Sequence, residues 1–262
     1  MTRRFQKQQE KRGDDKLLTI FFTAGYPSLG DTLPLVRAVE EAGADLIEIG
    51  MPYSDPLADG PLIQQTSATA LQNGMTLSLL FEQLKDLRPH SEIPIYLMGY
   101  FNPMLQFGVE KFLSECQRVG VDGLIIPDIP LDEYEEHYET LFKKYDIGIT
   151  FLVLPQTPPE RLKLIDRLST DFIYAVSNPS TTGGTLDIGE KQREYYERIE
   201  QAGLDTPVQI GFGISDKESF ESATKHFAGG IIGSAFIRAL QGGEDYLTEA
   251  RNFVRSIRGD KT

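Results

Sequence analysis

Short apolar runs and longer amphipathic stretches alternate along the whole chain. The apolar runs predict strands near Leu17–Thr23, Leu46–Gly50, Ile93–Met98, Gly123–Pro127, Gly148–Val153, Phe172–Val176, Val208–Gly211 and Gly229–Ile232. Between them, stretches such as "DTLPLVRAVEEAG", "GVEKFLSECQRVG" and "PERLKLIDRLS" repeat apolar residues at helical spacing. Several end in Gly just ahead of the next strand, where a helix C-cap favours it. Strands alternating with helices eight times over about 250 residues predict a (β/α)8 TIM barrel, an α/β fold. An open doubly wound sheet shares the same local grammar, and the count of eight favours the barrel. No linker, repeat or low-complexity tract interrupts the pattern, so residues 1–262 are expected to form one barrel domain. The charged start, "MTRRFQKQQEKRGDD", is expected to form an N-terminal amphipathic helix capping one end of it.

Alternation inside the second strand raises the first chemical question. In "LIEIG", Ile47 and Ile49 share one face, and Leu46, Glu48 and Gly50 share the other. The helix-facing side of a barrel strand is apolar, so the isoleucines face outward and Glu48 faces the barrel mouth. No strand core supplies an Arg or Lys to pair with it. An unpaired buried carboxyl keeps its proton to higher pH, which suits a general acid or base near neutrality. The loop that follows, "MPYSDPLADGP", adds Asp55 and Asp59 without a basic residue. Either could be a turn-former beside its Pro or Gly-Pro, and position alone does not choose between them. Asp128 in "IIPDIP" is a third acid at a strand end, with loop bracing as the competing role. Two connections, Met51–Pro61 and Ser177–Gly189, are long for βα loops and emerge where barrels build their active sites.

Composition narrows the chemistry. A hydrophobic content of 40% and a charged content of 25% are those of an ordinary globular protein. No apolar stretch reaches membrane-spanning length, and no apolar segment follows the basic start, so neither a membrane span nor a signal peptide is expected. The single cysteine, Cys116, fits a reducing cytoplasm and reads as a buried structural thiol. A net charge of −13 argues against nucleic acid as a partner. It also means that an anionic ligand must be captured by local dipoles against the overall field. His90, His137 and His226 fall in helices or at their ends without paired spacing, which argues against a His-based metal site or triad. No strand interior holds a lysine, so a Schiff-base aldolase lacks its nucleophile. Carboxylates, with Tyr100 or Tyr174, remain. For a phosphate, "QIGFGIS" offers Gly211 and Gly213 after the seventh strand, and "GGIIGSAFIRAL" offers Gly233 and Ser234 at a helix start after the eighth. Loops at those two strand ends form the recurring phosphate site of barrels.

The segments "FFTAGYP", "LIEIGMPYSDPLADGP", "VGVDGLIIPDIP", "QIGFGIS" and "GSAFIRAL" resemble the α subunit of tryptophan synthase, over roughly Leu17 to Leu240. The resemblance implies a retro-aldol cleavage of indole-3-glycerol phosphate to indole and glyceraldehyde 3-phosphate, with no cofactor in this chain. It implies Glu48 as the acid/base that protonates indole C3, and Asp59, rather than Asp55, as the carboxylate that meets the indole N–H. Phe21, Tyr100, Ile125 and Tyr174 match the indole pocket, though barrel filling would equally explain Phe21 and Ile125. Gly183, Gly211, Gly213, Gly233 and Ser234 match the phosphate site, and Thr182 is expected to meet Asp59 or the substrate. The partner implied is a tryptophan synthase β chain in an α2β2 assembly, carrying pyridoxal phosphate and receiving indole.

The stretch "SNPSTTGG", Ser177 to Gly184, departs from the family's pattern: Asn178 and Ser180 stand where Arg and Gly are usual. That bears on loop closure and coupling to the partner, not on the reaction type. Two competing readings are an indole-glycerol phosphate synthase or sugar-phosphate epimerase, and a subunit that mainly binds and activates a partner. The former should lack the paired acids of the second strand and its loop.

Overall fold

The computed structural model describes residues 1–177, 190–211, 213–243 and 245–259. Its strands are β1 (Leu17–Thr23), β2 (Leu46–Gly50), β3 (Ile95–Met98), β4 (Gly123–Ile125), β5 (Gly148–Thr150), β6 (Leu152–Val153), β7 (Ile173–Val176), β8 (Val208–Gly211) and β9 (Gly229–Ile232). They lie in the order β5-β4-β3-β2-β1-β9-β8-β7-β6, and every pair is parallel. β5 and β6 stand at opposite ends of that order, yet only Phe151 separates them in the chain. The first half of this stretch bonds to β4 and the second to β7, and the Phe151 carbonyl accepts from Tyr174 N–H at 3.0 Å. One continuous stretch thus closes the sheet into a barrel, and the strand expected over Gly148–Val153 is these two halves.

The strands are buried on both faces, and alternate residues fall into two separate cores. Leu18, Ile20, Phe22, Ile47, Ile49, Leu124 and Ile149 pack outward against the helices. Leu17, Leu46, Tyr96, Ile125, Phe172 and Ile231 fill the barrel. The outward set belongs to the larger cluster, which is why each βα unit needs an apolar helix face as well as an apolar strand.

The charged start forms the helix Arg3–Arg12, and its Phe5, fully buried, enters the barrel interior and stacks on Phe172 with ring centroids 6.0 Å apart. Three buried aspartates surround this N-terminal end of the barrel, immediately before β2 and β4 and two residues before β7. Asp45 accepts from Gln8 at 2.5 Å and Leu18 N–H at 2.8 Å, and pairs with Arg12 and Arg258. Asp122 accepts from Arg88 at 2.7 Å, Ile95 N–H at 2.9 Å and Arg4 at 3.0 Å. Asp171 accepts from the Thr2 and Tyr96 hydroxyls, both at 2.7 Å. All three buried aspartates are hydrogen-bonded or ion-paired, so this end is a stabilising plug. Among the described residues, no helix is long and apolar enough to cross a membrane.

Candidate active site

The other end of the barrel, where the strands finish, treats its acids differently. Glu48 lies on β2 between outward-facing Ile47 and Ile49 and is fully buried. Neither carboxyl oxygen has a hydrogen-bond partner among the described residues. Burial pushes its pKa up to about 8, because no group among the described residues compensates the charged form. Glu48 therefore carries a proton at neutral pH and can release it within a small pH range.

Asp59 lies half-buried on the β2 loop, just before Gly60 and the helix Pro61–Gln72. Proline at the first helical position fixes where the loop ends, which places Asp59 beside the mouth. The Tyr100 hydroxyl donates to its Oδ2 at 3.1 Å. Burial raises the Asp59 pKa, and the hydrogen bond from Tyr100 pulls it back. Asp55, in contrast, is exposed and held by its neighbour Ser54 at 2.5 Å, a turn arrangement. Asp128 accepts from Phe101 N–H at 2.8 Å at the start of the helix Phe101–Phe107, so it braces that connection.

A cleft at the strand ends is lined by Phe21, Gly50, Asp59, Ile63, Met98 and Tyr100, among others. Phe21 is held in it by missing side chains: a Cβ on Gly50 would stand 2.7 Å from the ring, and one on Gly233 3.2 Å. Tyr174 is buried inside the barrel, where burial first, then Glu48 and Asp59, raise its pKa well above the usual tyrosine range. Its ring crosses Gly211, where an added Cβ would lie 2.3 Å from the hydroxyl. Gly211 is thus needed for Tyr174 as well as standing at the end of β8. Ile125 is fully buried in the barrel filling and does not line the cleft. Sequence reasoning passed over Ile63 and Met98; alternation from Tyr96 would have turned Met98 inward.

Gly213 is exposed after β8 with φ +79, a conformation that favours glycine. Gly233 precedes the helix Ser234–Leu240, whose first turn holds no acidic residue. The two therefore sit at the ends of the adjacent strands β8 and β9. Thr182 and Gly183 lie outside the described residues. Among the described residues, no group of three or more His, Cys, Asp or Glu is placed to hold a metal ion.

The family described as "Tryptophan synthase alpha chain" matches residues 5–258. The chain belongs to that family. The tryptophan synthase alpha chain of Flavobacterium johnsoniae is 51% identical over 258 residues, 98% of this chain and 100% of the relative. Among solved structures, tryptophan synthase subunit alpha from Legionella pneumophila superposes with a TM-score of 0.89 at 28% identity, over 98% of this chain and 97% of that one. The tryptophan synthase complex from Pyrococcus furiosus gives 0.85 at 34% identity, over 93% of this chain and 98% of that one. Within the tryptophan synthase alpha chain family, the run holding Glu48 and Asp59 and the two glycine ends thus stand in a barrel of known kind.

Proposed function

We propose that Glu48 and Asp59 divide the work of this chain's reaction, the retro-aldol cleavage of indole-3-glycerol phosphate to indole and D-glyceraldehyde 3-phosphate in L-tryptophan biosynthesis. The chain is a carbon–carbon lyase of the tryptophan synthase α reaction. The observation that carries the division of labour is the Glu48 carboxyl, buried without a hydrogen-bond partner among the described residues and protonated up to about pH 8. Such an acid can give its proton to indole C3, which turns the ring into an electron acceptor. The carbon–carbon bond then breaks, its electron pair returns to the ring, and the glycerol hydroxyl becomes the aldehyde as its proton passes to the Glu48 carboxylate. Positive charge develops at the indole nitrogen in between. The Asp59 carboxylate accepts the indole N–H there and stabilises that charge.

Phe21, Tyr100 and Tyr174 supply flat apolar walls for the ring, with Ile125 filling the barrel beneath them. Backbone N–H groups of Gly213, Gly233 and Ser234, together with Gly211 and Gly183, hold the phosphate by dipoles, which answers the opposition of a −13 chain to an anion. Thr182 is assigned, by the family resemblance, to Asp59 or the substrate. The partner is a tryptophan synthase β chain, and the reading takes the assembly as α2β2, in the cytoplasm, with pyridoxal phosphate in the β chain and no cofactor of this chain's own. It treats residues 1–262 as one barrel domain.

The test is indole release from indole-3-glycerol phosphate by the purified chain and by Glu48→Gln, each with and without a β chain. Slow release alone, stimulation by the β chain and a loss of about 10³-fold in the variant are expected. Turnover in Glu48→Gln close to that of the parent would remove Glu48 from the chemistry.

A further inference from the structure

Tyr100 does more in this site than present a ring. Its hydroxyl accepts from Ala58 N–H at 2.9 Å and reaches Asp59 Oδ2 at 3.1 Å. A phenol oxygen carries one proton. An amide N–H can only donate, so the contact with Ala58 uses a lone pair of the tyrosine oxygen and leaves its proton for Asp59. The direction of both bonds is therefore fixed, and Asp59 receives a donor that cannot turn away. The ring packs against Tyr53, centroids 5.2 Å apart, and Asn102 donates to the Tyr53 hydroxyl at 3.3 Å. Tyr100 stands two residues after the end of β3, so it ties the acid-bearing loop to the rigid sheet at two consecutive residues, Ala58 and Asp59.

We propose that Tyr100 is the positioning residue of Asp59, its hydroxyl fixing the carboxylate's orientation and keeping it ionised for the indole N–H. This rests on the assignment of Asp59 as the charge-stabilising acid. Burial of Asp59 works toward its neutral form, and a neutral Asp59 would face the indole N–H with a weaker acceptor. The hydrogen bond from Tyr100 works the other way. Tyr100 keeps its own proton throughout, since burial and then the neighbouring Asp59 raise its pKa. The titratable groups around the pair are Asp128 beyond β4, Glu48 and Tyr174 within the barrel, and Tyr53 and Asp55 on the Asp59 loop. Among the described residues none of these is a cation, and the side-chain hydrogen bond that favours the ionised form of Asp59 comes from Tyr100.

The experiment is Tyr100→Phe in the chain assembled with its β chain, with kcat and KM for indole-3-glycerol phosphate measured from pH 5.5 to 9. The ring and its contact with Tyr53 remain, so the melting temperature and KM stay close to those of the parent. Loss of a hydrogen bond to a charged group lowers kcat about 10-fold. The acid limb of the kcat profile moves up by about 1 pH unit, because Asp59 loses the contact that favours its charged form. An unmoved acid limb, or a rise in KM with kcat intact, would overturn the proposal and leave Tyr100 as a wall. Asp59→Ala is the control. If it retains turnover, the assignment of Asp59 itself fails; if it is inactive while Tyr100→Phe matches the parent, only the positioning role fails.

Discussion

Replacing Glu48 by methionine should make the protein inactive and more stable, and the size of the gain should depend on pH. The side chain is fully buried, both oxygens lack a hydrogen-bond partner among the described residues, and its pKa rises from 4.5 to about 8 on burial. That rise corresponds to about 5 kcal/mol of differential stability between its two protonation states. The sign follows from which state binds the proton. Below pH 4.5 both folded and unfolded chains hold it, and Glu48 carries no ionisation penalty. Between 4.5 and 8 the unfolded chain has released the proton while the folded one still holds it, so stability falls as pH rises. The penalty is about 1 kcal/mol at pH 5, about 3 at pH 7, and nearly complete at pH 9. Methionine fills similar space and ionises nowhere. Urea unfolding of parent and Glu48→Met at pH 5, 7 and 9 in the same salt gives the difference directly, because all other titrating groups are common to both. The variant should gain on the parent by roughly 1.4 kcal/mol per pH unit across the middle of that range. A difference that does not change between pH 5 and 9 would refute the reasoning, since it would mean that Glu48 ionises like an exposed carboxyl.

Two further substitutions separate the ends of the barrel. Phe5→Ala removes the fully buried plug stacked on Phe172 and should cost about 3–5 kcal/mol in urea unfolding, with kcat of the folded enzyme little changed. Gly211→Ala should do the reverse. Its new Cβ would sit 2.3 Å from the Tyr174 hydroxyl, so the ring must leave its place, and kcat/KM should fall at least about 10-fold; parental kcat/KM would show that the tyrosine's position is not needed.

The barrel could be read from the chain because its signals are local. Each strand is an apolar run with a helix-spaced stretch behind it, and alternation in "LIEIG" alone placed Glu48 inward. The split of the fifth strand at Phe151 was not visible, because closure depends on which neighbour each half finds rather than on composition. The saturated aspartates also went unread. Asp45, Asp122 and Asp171 look like ordinary loop charges, and their partners Gln8, Arg12, Arg88, Arg258 and Thr2 are distant in sequence. Their shared place, just ahead of a strand, was the available signal. Choosing Asp59 over Asp55 and Asp128 required the resemblance. The structure adds the physical distinction: Asp55 is turned onto its own neighbour, Asp128 onto a helix start, and Asp59 onto a tyrosine at the cleft.

Asp45 and Glu48 stand three residues apart, both fully buried, and burial has opposite consequences for them. At Asp45, Gln8, Arg12, Arg258 and the Leu18 amide meet the carboxylate, so the charge is compensated and the N-terminal helix is pinned to the barrel. At Glu48 nothing among the described residues meets it, so the cost of desolvation is left standing and appears as a proton retained to about pH 8. β2 runs from just after Asp45 at the closed end, past Glu48, to the open end, where Gly50 lines the cleft. Pairing Glu48 with a nearby Arg would stabilise the fold by the same physics that stabilises the plug. It would also hold Glu48 ionised at neutral pH, with no proton for C3, so on the proposed mechanism lower stability and catalytic competence at this position have one cause.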